Sequence, residues 1–366
     1  MTAELTFATT LREDPTSETE RERILADPGF GTHFTDHMVT AMWTKGEGWH
    51  DGRVHPFGPI QISPAAAVLH YAQEVFEGMK AYRHADGSVW TFRPERNAAR
   101  MARSCERLAL PTMGEEDFIA GLRALLEVDK AWVPAFGSGE MSLYLRPFMY
   151  ASEAFLGVRP ANEVTFSIIA SPAGAYFSGG LKPVNLWISE RYARAGDGGT
   201  GAAKCGGNYA SSLAGQLEGI AQGCDQAVFL DSSTHRYIEE LGGMNLFFVT
   251  KDGRLRTPAL TGSILEGVTR DSILELATDL GLQPEEARME IAEWKDGVVS
   301  GEITEVFACG TAAVVTPVGE LRWDGGSTPS TAGEGGGEVT RSIRQALLDI
   351  QYGITEDTRG WLTRLA

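Results

Sequence analysis

The chain has 366 residues, 43% hydrophobic and 22% charged, with a formal net charge of −17. That length exceeds one ordinary core and suits two domains, and the composition is globular, not disordered. The acidic balance argues against nucleic acid or an anionic membrane surface as partner, and no run approaches the about 18 apolar residues of a membrane span.

Residues 1–30 include the polar, mixed-charge stretch MTAELTFATTLREDPTSETERERI, which has no apolar signal centre and reads as an N-terminal extension. Within 75–94, VFEGMKAYRHADGSVWTFRP, two short strand-like runs flank Asp86-Gly87, a hairpin signal. ERNAARMARSCERLAL follows with Ala98, Met101, Cys105 and Leu108 at helical spacing. MSLYLRPFMY (141–150) alternates like a strand, so Met141, Leu143 and Leu145 share one face and Ser142, Tyr144 and Arg146 the other. NEVTFSIIAS (162–171) reads as a buried strand, and PAGAYFSGGLKP (172–183) as the interdomain linker.

Beyond it, QAVFLD (226–231) is strand-like and GGMNLFFVTKDGRLRTP (242–258) is a second hairpin turning at Asp252-Gly253. GVTRDSILELATDLG (267–281) predicts a helix with Ile273, Leu276, Ala277 and Leu280 on one face and Gly281 as its stop. STPSTAGEGGGE (327–338) reads as a loop before a terminal helix with Ile343, Ala346, Leu347 and Ile350 on one side. The domain expectation is therefore 31–171 as a small domain and 184–366 as a large one. Cys105, Cys205, Cys224 and Cys309 have neither CxxC nor metal-ligand spacing, so no disulfide framework and no metal is expected, and a reducing cytoplasm is the simplest setting.

Three features could meet an anion. The helix starting near Val268 and Thr269 follows a glycine and offers unpaired N–H groups, although a plain capped first turn reads the same. CGTAAVVTP (309–317) is a small-residue turn containing Thr311. The arginines 93, 96, 100, 103 and 107 form a cluster. Arg100, Arg103 and Arg107 lie off their helix's apolar stripe, so most of them are expected in solvent, and spacing leaves open which one, if any, binds phosphate. Lys204 is followed by Cys205, so no Walker motif is present, and the neighbouring glycines form no GxGxxG.

Lys204 sits in GGTGAAKCGGNYA (198–210). A lysine held away from water or beside other cations loses its proton more readily and can bond a carbonyl cofactor. Pyridoxal phosphate would ask for a lysine for its aldehyde, N–H groups and an arginine for its phosphate, and a carboxylate for its ring nitrogen. A surface-loop lysine between flexible glycines is the alternative.

The stretches FTDHMVTAMW (34–43), LHYAQEVFEGMKAYR (69–83), VDKAWVP (128–134), YLRPF (144–148), PAGAYFSGG (172–180), KCGGNYA (204–210), EELGGMNLFFV (239–249), EVFACGTAAVVTPV (305–318) and IQYGI (350–354) resemble, in order, the branched-chain amino acid aminotransferases, which are fold-type IV pyridoxal-phosphate enzymes. The resemblance implies an α+β fold of two domains, a small N-terminal α/β domain and a larger C-terminal α/β domain with mixed sheets that carries the cofactor lysine. It implies pyridoxal 5′-phosphate as cofactor, with Lys204 as its Schiff-base lysine and proton shuttle, Tyr209 on its phenolic oxygen and Glu240 on its ring nitrogen. Glu239 is the neighbouring alternative for that last role. It assigns Arg100, Val268, Thr269 and Thr311 to the phosphate and puts Arg194 near the cofactor. Phe34, Tyr71, Phe76, Tyr144 and Arg146 match the side-chain pocket, where aromatic walls suit a branched chain and the arginine a second carboxylate. Gly243, Met244 and Ala312 match the loops that hold the α-carboxylate.

The implied reaction is ping-pong transamination of L-leucine, L-isoleucine and L-valine with 2-oxoglutarate, by a homodimer with its site at the domain and subunit boundary. Two departures stand out. AAVVT replaces the redox-sensitive CxxC of some animal members, and Gly243 replaces a threonine beside the α-carboxylate. D-amino acid transaminases and aminodeoxychorismate lyases share the fold, but VFEGMKAY and YLRP favour the branched-chain group. A catalytically idle binding relative has no need of Lys204, Glu240, Arg100 and Tyr209 together.

Overall fold

A computed structural model describes residues 5–174, 181–330 and 335–366. They fall into two compact units, the first built of 5–174 with Ala203–Gly206 and Asp349–Ala366, the second of 181–202 with Gly207–Leu348.

In chain order the first unit contains β1 (Ala8–Thr9), α1 (Glu18–Ala26), β2 (His37–Thr44), β3 (Gly48–Pro56), α2 (Ala67–Tyr71) and β4 (Glu74–Phe76). It continues with β5 (Met79–Arg83), β6 (Val89–Phe92), α3 (Pro94–Arg107), α4 (Glu115–Asp129), β7 (Ser142–Ala151) and β8 (Glu163–Ala173). The second unit contains β9 (Val184–Ser189), α5 (Gly206–Ala221, whose first residue clusters with the first unit), β10 (Gln226–Leu230), β11 (Ile238–Leu241), β12 (Asn245–Thr250) and β13 (Arg254–Pro258). Then come α6 (Val268–Ala277), β14 (Gln283–Ala287), α7 (Ile291–Ser300), β15 (Ile303–Gly310), β16 (Val314–Trp323), β17 (Gly326–Pro329) and α8 (Glu338–Gln351). The last strand, β18 (Leu362–Arg364), returns to the first unit.

The first sheet runs β1-β3-β2-β8-β7-β5-β6-β18, with β4 also on β7. Apart from the parallel β1–β3 edge its pairs are antiparallel. The Asp86-Gly87 hairpin joins β5 to β6 as expected. Alternation along β7 buries Leu143 and Leu145 in the first unit's core, which also holds Phe166 and Ile168 of β8 and Leu122 and Leu125 of α4. Each such side chain contributes about 1.5–3 kcal/mol when removed from water. The other face of β7 carries Tyr144 and Arg146, both half-buried. The second sheet is mixed, ordered β11-β10-β9-β16-β15-β12-β13-β14 with β17 on β16. Its core includes Phe247 stacked on Phe307 and Phe248 edge-on to Trp294.

Several boundaries differ from the sequence reading. Within 1–30, β1 is an edge strand and Leu5 and Ile24 belong to the first unit's core, because the sheet accepts one more strand and leaves apolar surface to cover. Pro172 and Ala173, read as linker, continue β8 opposite Leu143 and Ser142; residues 175–180 of that linker lie outside the described residues. Residues 203–206 and 349–366, read with the large domain, cluster with the first unit. Ser327–Pro329, read as loop, pair with β16.

Candidate active site

In the first unit Lys204 is tied down by its backbone. Its N–H donates to Ser104 Oγ at 2.9 Å and its carbonyl accepts from the Phe76 N–H at 2.9 Å. These two bonds are why the lysine, expected with the second half of the chain, clusters with the first. The Lys204 Nζ stands 4.9 Å from the centroid of the Phe76 ring, and the Arg146 guanidinium carbon is also 4.9 Å from that ring. Arg146 donates to the Tyr144 hydroxyl at 3.1 Å, and Phe30 packs edge-on to Tyr144 with centroids 5.2 Å apart. Gly78 makes room for this: a Cβ there would lie 2.0 Å from the Tyr144 hydroxyl. Lys204, Phe76, Arg146 and Tyr144 thus come together as one group. Phe34 stacks on Phe57, and the Tyr71 hydroxyl donates to the Leu156 carbonyl.

Of Arg100, Arg103 and Arg107, most of which are expected in solvent, Arg100 is the one the fold buries. Arg96, Arg103 and Arg107 are exposed, but Arg100 is buried, because Glu77 receives its charge. Arg100 Nε donates to Glu77 Oε1 and Nη2 to Oε2, each at 2.8 Å. Asn97 Nδ2 and the Gly78 N–H also donate to Oε2, at 2.7 and 3.2 Å. Burial pushes the Glu77 carboxyl up, but the Arg100 guanidinium, Lys204 and the Asn97 amide outweigh it and hold the group below the usual carboxylate range. Asn97, Arg100 and Ser104 recur at helical spacing, a second buried stripe beside Ala98, Met101 and Cys105. A hydrophobic count sees only the apolar stripe.

In the second unit Glu240 lies within the fully buried strand β11 and pairs with Arg194 Nη1 at 2.7 Å. The Leu265 N–H and Asn245 Nδ2 also donate to it, at 2.9 and 3.3 Å. Arg194 lies 5.9 Å from the Tyr209 ring centroid. Glu239 points to Ser263 instead; burial pushes its carboxyl up and the Ser263 hydroxyl and Arg194 offset that only in part. Val268 and Thr269 open α6, whose Gly267 N-cap has no side-chain cap. A Cβ on Gly267 would meet Asn245 Oδ1 at 2.1 Å, so a glycine lets the helix start beside the residue that holds Glu240. Thr311 and Ala312 form the half-buried turn between β15 and β16, and Gly310 packs close to Met244. At Gly243 a Cβ would make an ordinary 3.6 Å contact with the Tyr209 ring, so space does not require the glycine. Burial pushes the Cys309 thiol up to about 12, an inert group.

Sequence reasoning missed Glu77, Asn97, Ser104, Asn245 and Phe30. The polar spacing 97-100-104 was the available signal for three partners of one buried cluster. Among the described residues no cluster of three His, Cys, Asp or Glu could hold a metal, and no helix is long and apolar enough to cross a membrane.

The family described as Amino-transferase class IV matches residues 74–321. A probable branched-chain-amino-acid aminotransferase of Streptomyces coelicolor is 57% identical over 352 residues, 96% of each chain. The crystal structure of the Escherichia coli branched-chain amino acid aminotransferase superposes with TM-score 0.73 at 30% identity, covering 90% of this chain and 100% of that one. A second solved branched-chain amino acid aminotransferase, the T.th. enzyme with pyridoxamine 5′-phosphate, gives TM-score 0.72 at 30% identity, over 90% and 99%.

Proposed function

We propose a function from this premise: the chain belongs to the class IV aminotransferases and, within them, to the branched-chain-amino-acid aminotransferases. It transfers the amino group of L-leucine, L-isoleucine or L-valine to 2-oxoglutarate, with pyridoxal 5′-phosphate as cofactor. The observation that carries this reading is the first unit's group: an amine, Lys204, and a cation, Arg146, flank one aromatic ring, Phe76.

The donor set fits the cofactor. Lys204 offers the amine for its aldehyde, and Glu240 a carboxylate for its ring nitrogen. Arg100, the uncapped start of α6 at Val268 and Thr269, and Thr311 suit its phosphate, and Tyr209 its phenolic oxygen. When bound, the cofactor supplies an electron sink for the pair left at the substrate Cα. Lys204 Nζ removes the Cα proton, holds it, and gives it up again, so one amine serves as base and then acid. Arg194 keeps the Glu240 carboxylate in place. Phe76 and Tyr144 exclude water from the branched side chain, and Phe34 and Tyr71 complete that pocket. Arg146, whose buried Nε has no hydrogen-bond partner among the described residues, receives the second carboxylate of glutamate. Gly243, Met244 and Ala312 orient the α-carboxylate. The exposed stripe Leu213, Leu217 and Ile220 on α5 supports a homodimer, and four buried free thiols suit the cytoplasm.

The visible absorption of the purified protein tests this reading. Bound cofactor gives a yellow band that L-leucine bleaches without any oxo acid and D-alanine does not; Lys204→Ala removes both the band and the turnover. A protein that stays colourless after incubation with pyridoxal phosphate overturns it.

A further inference from the structure

We propose that Glu77 is a positioning residue: it holds Arg100 in the orientation that receives the cofactor's phosphate before the cofactor binds. This rests on the reading of Arg100 given above.

The geometry is a planar fork on a carboxylate, both bonds at 2.8 Å. Two parallel bonds fix the plane of a guanidinium as well as its position. Glu77 is itself immobilised. It is fully buried, its own N–H donates to the Pro147 carbonyl at 2.7 Å, and Asn97 Nδ2 and the Gly78 N–H hold Oε2. Ser104, on the same face of α3, donates to the Arg100 carbonyl at 2.8 Å and accepts the Lys204 N–H. One hydroxyl therefore links the backbones of the two residues assigned to opposite ends of the cofactor. In Glu77→Gln the amide can accept from the fork through its oxygen alone, and its NH2 opposes a donor. Arg100 then loses the partner that sets its plane.

A pure charge argument predicts the reverse sign. Removing a negative charge near a phosphate site would tighten phosphate binding. Positioning predicts loosening, and the two readings separate in one titration.

Apoprotein is titrated with pyridoxal phosphate and with pyridoxal, which lacks the phosphate, following absorbance. Glu77→Gln weakens pyridoxal phosphate about tenfold, the worth of one charge-assisted hydrogen bond, and leaves pyridoxal within about threefold. Glu77→Asp, which keeps the charge, falls between. Unchanged or tighter pyridoxal phosphate binding in Glu77→Gln overturns the inference. Arg100→Ala separates it from its premise. If that variant keeps the preference for the phosphorylated form, the assignment of Arg100 fails. If it loses the preference while Glu77→Gln retains it, only the role of Glu77 fails. Should Glu77→Gln not fold, proton exchange at Arg100 Nε in wild-type apoprotein decides. Slow exchange before cofactor is added supports preorganisation, and protection that arises only on binding refutes it.

Discussion

Replacing Arg194 by methionine tests the buried pair at the centre of the second unit. The Arg194 and Glu240 side chains are only 1% and 3% exposed, and the substitution removes the guanidinium 2.7 Å from the carboxylate. Arg194 also reaches the carbonyls of Ser263 and Gly201, at 3.2 and 3.4 Å, so it ties three segments of the second unit. Breaking one side of such a pair costs about 3–5 kcal/mol, because the surviving charge stays out of water. At about 2–4 °C per kcal/mol for a body of this size, the second unit's transition falls by about 6–20 °C. The double variant Arg194→Met/Glu240→Gln replaces the stranded charge with a neutral amide that keeps the Leu265 contact, and recovers at least half of the loss. Differential scanning calorimetry of the apoproteins measures both. Melting of Arg194→Met within about 2 °C of wild type, or a double variant less stable than Arg194→Met, would refute the reasoning.

Gly78→Ala places a methyl 2.0 Å from the Tyr144 hydroxyl and drives that ring off Arg146. Overpacking of this kind costs about 1–3 kcal/mol, and steady-state kinetics should show KM for L-leucine rising about tenfold with a smaller change in kcat; an unaltered KM would contradict the placement of Tyr144 in the side-chain pocket. Asp231 accepts the N–H groups of Thr234, Arg236 and Tyr237, at 2.8, 2.9 and 2.8 Å. Burial pushes its carboxyl up, but these donors and the Thr234 hydroxyl outweigh it and hold the folded value below the usual range. A depressed carboxyl contributes stability that is present above its unfolded value and lost as pH falls through the folded one. Asp231→Asn should therefore melt well below wild type at neutral pH, and the gap should narrow below about pH 4. A gap independent of pH would count against the assignment.

Local chemistry and periodicity made much of the architecture legible. The hairpins at Asp86-Gly87 and Asp252-Gly253, the alternation of β7 and the apolar faces of α3 and α6 each need only neighbours in the chain, and each forms where expected. Residue type offered candidates for a carbonyl cofactor, an amine at Lys204 and three possible anion sites, and the family resemblance chose among them and added Glu240. What local reading could not supply was the distant partner that buries a charge or holds a backbone. Helical spacing could not single out Arg100 as the buried arginine because it cannot see Glu77, which reaches it from the connection between β4 and β5. Lys204 read with the second half because nothing local shows that Ser104 and Phe76 would hold its backbone.

The N-terminal residues read as an extension because β1 is polar and two residues long, and only the open edge of β3 makes it a strand. Sequence by itself determined where the chain turns and which residue types are on hand for the proposed chemistry. Tertiary structure alone decided which charges are buried and by what they are balanced, because a charge leaves water only where the fold supplies its counter-charge from elsewhere in the chain.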